Sequence, residues 1–346
     1  MNINFTEASI ASLSIHKVGR KTEEEGVILS KESLNLDQEI RNLLSHYFTS
    51  SFKLTEFSTL HHDSDINMNE VYTYASNIFD DPSQLHPQSV NIARHLYEQS
   101  LHPNIKGGEL YVVYFQDAMV DGEYVDAVGL FKSENRDTFL KVYPTENNFE
   151  VESEQGININ KLDKGALIFN LDREDGYVVA MVDNTNKSQD ARYWIDDFLH
   201  VVERKDDYYN TNGVMSLYKK FVTKEFPDKF DASKADQAEL LNKSVEFFKE
   251  KDSFCMDEFV DEVIAQPELI ESFNTFKDQY QHERDVEFAD SFAISDTAVK
   301  KQVRAYKSVI KLDKNFHIYV HGGADKIEQG EDDKGRFYKV YYEQEM

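Results

Sequence analysis

SLHPNIKGGELYVVYFQDAMVDGEYVDAVGLFKSENRDTFLKVY, residues 100–143, decides the fold. Residues 110–115 and 125–131 are runs rich in Val, Tyr, Leu and Phe, and Asp121-Gly122 between them tolerates the positive φ that closes a tight hairpin. The two runs should pair antiparallel. Neither alternates with polar residues, so both faces of the hairpin should be covered, and it should sit in mid-sheet at the centre of the core.

Outward from this hairpin, β-type runs follow at 138–143, 149–152, 166–171 and 177–182, the last two joined through Asp175-Gly176, read as a second hairpin turn of the same type. Upstream, residues 3–17 alternate brokenly, as a strand with a bulge or turn does, and 26–30 make a second short strand. Between these and the hairpin lie three helical patterns: one opened by Asp37 with Ile40, Leu43, Leu44, Tyr47 and Phe48, one starting near Asn67, and one after Pro87 that ends before Pro103. The expectation is an α+β domain over 1–205, an antiparallel sheet with packed helices, in which Trp194 plugs the edge of the core. From 206 the texture is helical, over 215–226, 232–250, 256–265 and 267–285, with Pro267 in a first turn. Residues 316–320 and 336–342 then read as one hairpin with a long polar loop, so the second region, 206–346, is an acidic helical block closed by a short C-terminal β element.

Several segments of this pattern resemble a known family. HPNIKGGELYVVYF, AVGLFKSENRDTFL and GININKLDKGALIFN, with SIHKVGRK and LSKESL before them and RYWIDDFL and SVIKLDKNFHIYV after them, are similar to the bacterial nucleoid-associated proteins known as the 37-kilodalton nucleoid-associated or NdpA-like family. The resemblance runs over most of the chain. It implies association with bacterial DNA in the cytoplasm, without a cofactor or a catalytic set that could be placed on particular residues.

Composition bounds the alternatives. The chain of 346 residues is 40% hydrophobic and 13% aromatic, which is globular rather than disordered. No apolar run approaches the roughly 20 residues that span a bilayer, and the first residues lack the basic start and apolar block of a secretory signal, so a cytoplasmic protein without membrane contact is expected. The single cysteine, Cys255, forms no internal disulfide and between Phe254 and Met256 reads as a buried structural thiol. The formal net charge of −26 opposes phosphate binding by the molecule as a whole. Because charges more than about 8 Å apart are largely screened at physiological salt, the distribution decides.

That distribution is uneven. Residues 228–290 hold 18 Asp and Glu against 7 Lys and Arg, a solvated exterior or a docking face for a basic protein. Residues 296–314 hold Lys300, Lys301, Arg304, Lys307, Lys311 and Lys314 against Asp296 and Asp313. As a helix, this stretch buries Val299, Val303, Tyr306 and Ile310 and lays Lys300, Arg304, Lys307 and Lys311 beside them; the β-branched run after Lys307 argues instead for a helix that passes into a strand. Either geometry clusters the cations, and Lys300, Lys301, Arg304, Lys307 and Lys311 are the expected DNA contacts. An ordinary solvated face, or one paired with the acidic block, is the rival account of the same cluster.

Other constellations carry less. His16 to Lys21 and Lys106-Gly107-Gly108 are basic or phosphate-compatible, but neither has the spacing of a phosphate-binding loop, and a plain hairpin entry explains the latter. Glu109, Asp126, Lys132 and Glu134 could converge as in a metal-dependent nuclease, although Lys132 precedes Glu134 in the reverse of the usual order. His61-His62-Asp63-Ser64-Asp65 lacks a second ligand pair, and His317 with His321 reads as ordinary surface histidine. No metal or cofactor site and no enzyme activity is expected. The leading function is non-enzymatic DNA association with little sequence specificity, in the nucleoid; the alternatives are an acidic, DNA-mimic-like protein that docks on a basic DNA-processing partner, and a metal-dependent nuclease. Flat strands at the tail leave room for a homodimer.

Overall fold

The computed structural model describes residues 3–52, 56–185, 192–304, 306, 309–312, 314–319 and 326–342. Two compact units divide the chain, Met1–Arg204 and Lys205–Met346.

In the first unit the strands are β1 (Ile3–Asn4), β2 (Ser9–Val18), β3 (Val27–Ile28), β4 (Ser58–Leu60), β5 (Gly108–Val120), β6 (Glu123–Ser133), β7 (Asp137–Pro144), β8 (Phe149–Gly156), β9 (Lys164–Phe169), β10 (Val178–Asp183) and β11 (Val201–Glu203). The helices are α1 (Gln38–Thr49), α2 (Glu70–Asp80) and α3 (Leu85–Gln99). One sheet runs in the order β11-β4-β10-β9-β6-β5-β2-β3, with β1 also on β5, and every described pairing in it is antiparallel. The β5–β6 hairpin is therefore interior. Asp121 and Gly122 both have positive φ, as the two-residue turn requires. Because side chains alternate across a strand, the continuous apolar runs feed two cores. Leu110, Val112, Val128, Leu130 and Ile168 pack with α2 and α3 on one face, while Tyr111, Val113, Phe115, Phe131 and Leu167 pack with Tyr47 and Phe48 of α1 on the other. Trp194 is wholly buried in the first core, on a π-helical turn over Trp194–Leu199.

Helix starts follow their caps. Asp37 and Asn69 accept from the backbone N–H of Ile40 and Tyr72, so the second helix begins three residues later than its apolar spacing indicates. The broken alternation of the first strand is a register shift between Ile10 and Ser12.

Two expectations need correction here. The connection between β9 and β10 is not a tight Asp-Gly turn: a short 3-10 turn at Arg173–Asp175 intervenes, and Gly176, at φ 89°, is required because a Cβ there would lie 2.0 Å from the Leu60 carbonyl oxygen. Residues 138–143 and 149–152 do form strands, but β7 and β8 pair only with each other, off the large sheet. Leu140, Val142, Phe149 and Val151 are all exposed there, Leu140 at 71%. In the His16 to Lys21 cluster, Arg20 pairs with Glu23 and Glu25, Lys21 with Glu98, and His16 is buried, while Lys17 is exposed.

His16 carries a pH prediction. The backbone N–H of Ser30 donates to its Nδ1 at 3.1 Å, so the ring proton sits on Nε2, 2.8 Å from the Ser89 hydroxyl, which itself donates to the His86 carbonyl. A proton on Nδ1 would face the Ser30 N–H. Burial first, and then the charge of His86, lowers the His16 pKa from 6.5 to about 4. Between those values the unfolded chain takes up a proton that the folded one refuses, so stability is full above pH 6.5 and falls as pH drops through the window, by at most about 3 kcal/mol. Urea titrations at pH 7 and 4.5 should show this loss, and His16→Leu should flatten it; an unchanged pH dependence in that variant would assign the loss elsewhere.

The second unit is helical: α4 (Asp207–Lys220), α5 (Phe226–Phe230), α6 (Lys234–Glu250), α7 (Met256–Phe259), α8 (Pro267–Arg284) and α9 (Asp296–Val303), with π-helical segments at Phe221–Glu225 and Val260–Ile264. Tyr218, Phe221, Phe247, Phe259 and Phe273 form its core. A short pair, β12 (Ser253–Cys255) and β13 (Ser291–Ala293), alternates so that Phe254 and Phe292 point inward. Cys255 is consequently exposed rather than buried. The tail also departs from the single hairpin expected. It holds two, β14 (Val309–Lys311) with β15 (His317–Tyr319), and β16 (Ile327–Asp332) with β17 (Gly335–Val340). Ile310, Ile318, Ile327 and Tyr338 pack around Ala235 and Ala238 of α6.

Candidate functional site

The basic stretch of the second unit is a helix that gives way to a strand. Ala298 and Val299 are buried, Gln302 ties α9 to α4 through Asn212 and Ser216 at 2.7 and 2.8 Å, and the Tyr306 hydroxyl donates to the Met215 carbonyl. With that face committed inward, Lys300, Lys301 and Arg304 are exposed. Lys301 donates to the Tyr208 hydroxyl at 3.0 Å and lies 5.6 Å from the ring centroid. Neither Lys300 nor Arg304 forms an ion pair with any described residue, whereas Lys229, Lys243 and Lys251 of the acidic helices each have a carboxylate within 4 Å, on Glu225, Glu239 and Glu258. Lys311 stands opposite His317 in β14, and Lys307 and His321 lie outside the described residues. Lys300 and Lys301 in the last turn of α9 also complement its dipole.

The first unit holds a different assembly. Lys132 of β6 and Lys164 of β9 are direct cross-strand neighbours, and both are buried, at 1% and 0% exposure. Like charges so placed repel. Each lysine is held by its own set: Lys132 Nζ donates to the Lys106 carbonyl at 2.7 Å, the Tyr193 hydroxyl at 2.9 Å and Glu134 Oε1 at 3.0 Å, and Lys164 Nζ donates to both oxygens of Asp183 at 2.8 Å and to Thr185 Oγ1 at 2.6 Å. The Tyr193 ring lies near both ammonium groups, with its centroid 5.4 and 5.3 Å away. Burial lowers the Lys132 pKa, and Glu134 opposes that shift; burial and then Glu134 raise that of Tyr193. The phase of the strands signals this cluster, because Lys132 and Lys164 are in step with buried Leu130 and Ala166.

The four residues that could have made a nuclease centre do not converge. Lys132 and Glu134 meet, but Glu109 pairs with Arg136 and Asp126 accepts from the Tyr114 hydroxyl at 2.6 Å. Among the described residues no group of three or more His, Cys, Asp or Glu could hold a metal ion. His200 does approach His61 and His62, at 6.2 and 6.1 Å between ring centroids, without completing such a group. Gly108 has a structural reason, since a Cβ there would meet the Ser133 carbonyl oxygen at 1.9 Å. Among the described residues no helix is long and apolar enough to cross a membrane.

No curated protein matches the chain. The family model described as nucleoid-associated protein YejK matches residues 14–335, through both units and across the basic stretch and the buried lysines, and the chain belongs to that family of nucleoid-associated proteins.

Proposed function

We propose that this protein binds DNA directly in the bacterial nucleoid, without catalysing a reaction and with little base specificity, through Lys300, Lys301, Arg304, Lys307 and Lys311. The observation that carries the proposal is local: Lys300 and Arg304 are exposed with no carboxylate partner among the described residues, on a chain of formal net charge −26. Family membership supplies the nucleoid association, and the unneutralised cations supply a means of holding phosphates. The overall charge slows approach to a polyanion but leaves contact at close range available, because salt screens the distant carboxylates.

The acidic helices support a rival in which a basic DNA-processing protein docks on them and DNA association is indirect. Salt dependence separates the two. Direct binding through three to five phosphates gives a slope of log affinity on log salt of about −3 to −5 with purified protein, similar for unrelated sequences. Purified protein that fails to bind DNA at any salt concentration refutes the direct reading.

A further inference from the structure

The end of the central sheet where β5 and β9 begin and β6 and β10 end carries a half-open pocket of about 440 Å3, within the range of small-molecule sites. Its wall includes Asn104, Lys106, Asn135, Asn160, Lys161 and Asn184. Two carboxylates also line it, yet both are committed to the protein. Asp163 accepts from the backbone N–H groups of Glu134 and Asn135 at 2.6 and 2.9 Å and from the Asn135 amide at 2.7 Å, and Glu134 accepts from Lys132 and Tyr193.

What remains open on the wall is mostly donor. Among the described residues Lys106 Nζ has one acceptor, Asn135 Oδ1 at 2.7 Å, and Lys161 Nζ has one, Asp137 at the surface. The Asn160 oxygen is engaged by His46, which leaves its NH2, whereas the Asn184 NH2 is engaged by the Leu162 carbonyl, which leaves its oxygen. Two ammonium groups with spare hydrogens favour a phosphate. The pocket is too large for a bare ion, and a donor amide with an acceptor amide matches the mixed edge of a nucleobase. The buried Lys132–Glu134 and Lys164–Asp183 pairs hold the wall in place behind them.

We propose that this pocket binds a nucleoside monophosphate, with its phosphate on Lys106 and Lys161 and its base among the asparagines. The same phosphomonoester stands free in solution or at the 5′ end of a DNA strand. Calorimetric titration of the full chain with AMP, adenosine, inorganic phosphate, and a short oligonucleotide with and without a 5′ phosphate tests it. AMP should bind about tenfold or more tightly than either adenosine or phosphate. Lys106→Ala with Lys161→Ala should remove that advantage while Trp194 fluorescence reports an intact fold, and Lys300→Glu with Arg304→Glu should leave AMP binding unchanged. Preference for the free nucleotide or for the phosphorylated strand end identifies the source. AMP binding no tighter than adenosine, or undiminished in the Lys106→Ala, Lys161→Ala variant, overturns the proposal.

Discussion

Asp183→Ala is expected to destabilise the N-terminal unit by about 3–5 kcal/mol, because it leaves the fully buried Lys164 ammonium without its bidentate partner. Thr185 alone cannot offset the desolvation, and Lys132, directly across the strands, adds repulsion. Trp194, the only tryptophan, is buried in this unit, so its fluorescence follows the unit in a denaturant titration. The midpoint should fall with little change in slope. Lys164→Met combined with Asp183→Leu should recover most of the loss, since replacing a buried pair by apolar groups of similar volume is often neutral. If Asp183→Ala costs less than about 1 kcal/mol, water reaches Lys164 and the cluster is not a closed network.

The same lysines show how far sequence carries. Their position is legible from strand phase: continuous apolar runs tell that the β5–β6 hairpin is covered on both faces, and any residue in step with Leu130 and Ala166 must then be inside. Of their partners, Asp183 faces Lys164 in the β9–β10 register and Glu134 lies two residues from Lys132, whereas Tyr193 comes from a distant segment that nothing local specifies. The β7–β8 segment shows the opposite limit. Its β propensity is plain in the sequence, but propensity measures fit to a pleated surface and does not name the neighbouring strand, so two strands expected in the sheet pair only with each other. At the tail, residues 327–332, IEQGED, are too polar to read as a strand, and without them residues 336–342 have no local partner but 316–320. The basic stretch is legible as a charge count and as a helix-to-strand change. Whether its cations are neutralised depends on which acidic helices reach them, and no spacing rule encodes that.

Lys300→Glu, Lys301→Glu and Arg304→Glu together should weaken DNA binding about 100-fold or more near physiological salt and reduce the magnitude of the salt slope by about three. The magnitude follows from about 1 kcal/mol for each exposed cation–phosphate pair removed, with repulsion added by the new carboxylates. The fold should survive, since these side chains are exposed and α9 is anchored through Ala298, Val299 and Gln302 instead. Lys301 also touches Tyr208, so the Lys300→Glu, Arg304→Glu double variant isolates the two cations without a carboxylate partner among the described residues and should retain most of the effect. The matched control reverses Lys229 and Lys243, which already face Glu225 and Glu239, and should change binding less than about threefold. The weakening should be uniform across DNA sequences, because phosphate contacts position a protein without reading bases. A triple variant that binds as the wild type does, with the same slope, would move the direct DNA interface off α9 to another surface of the chain.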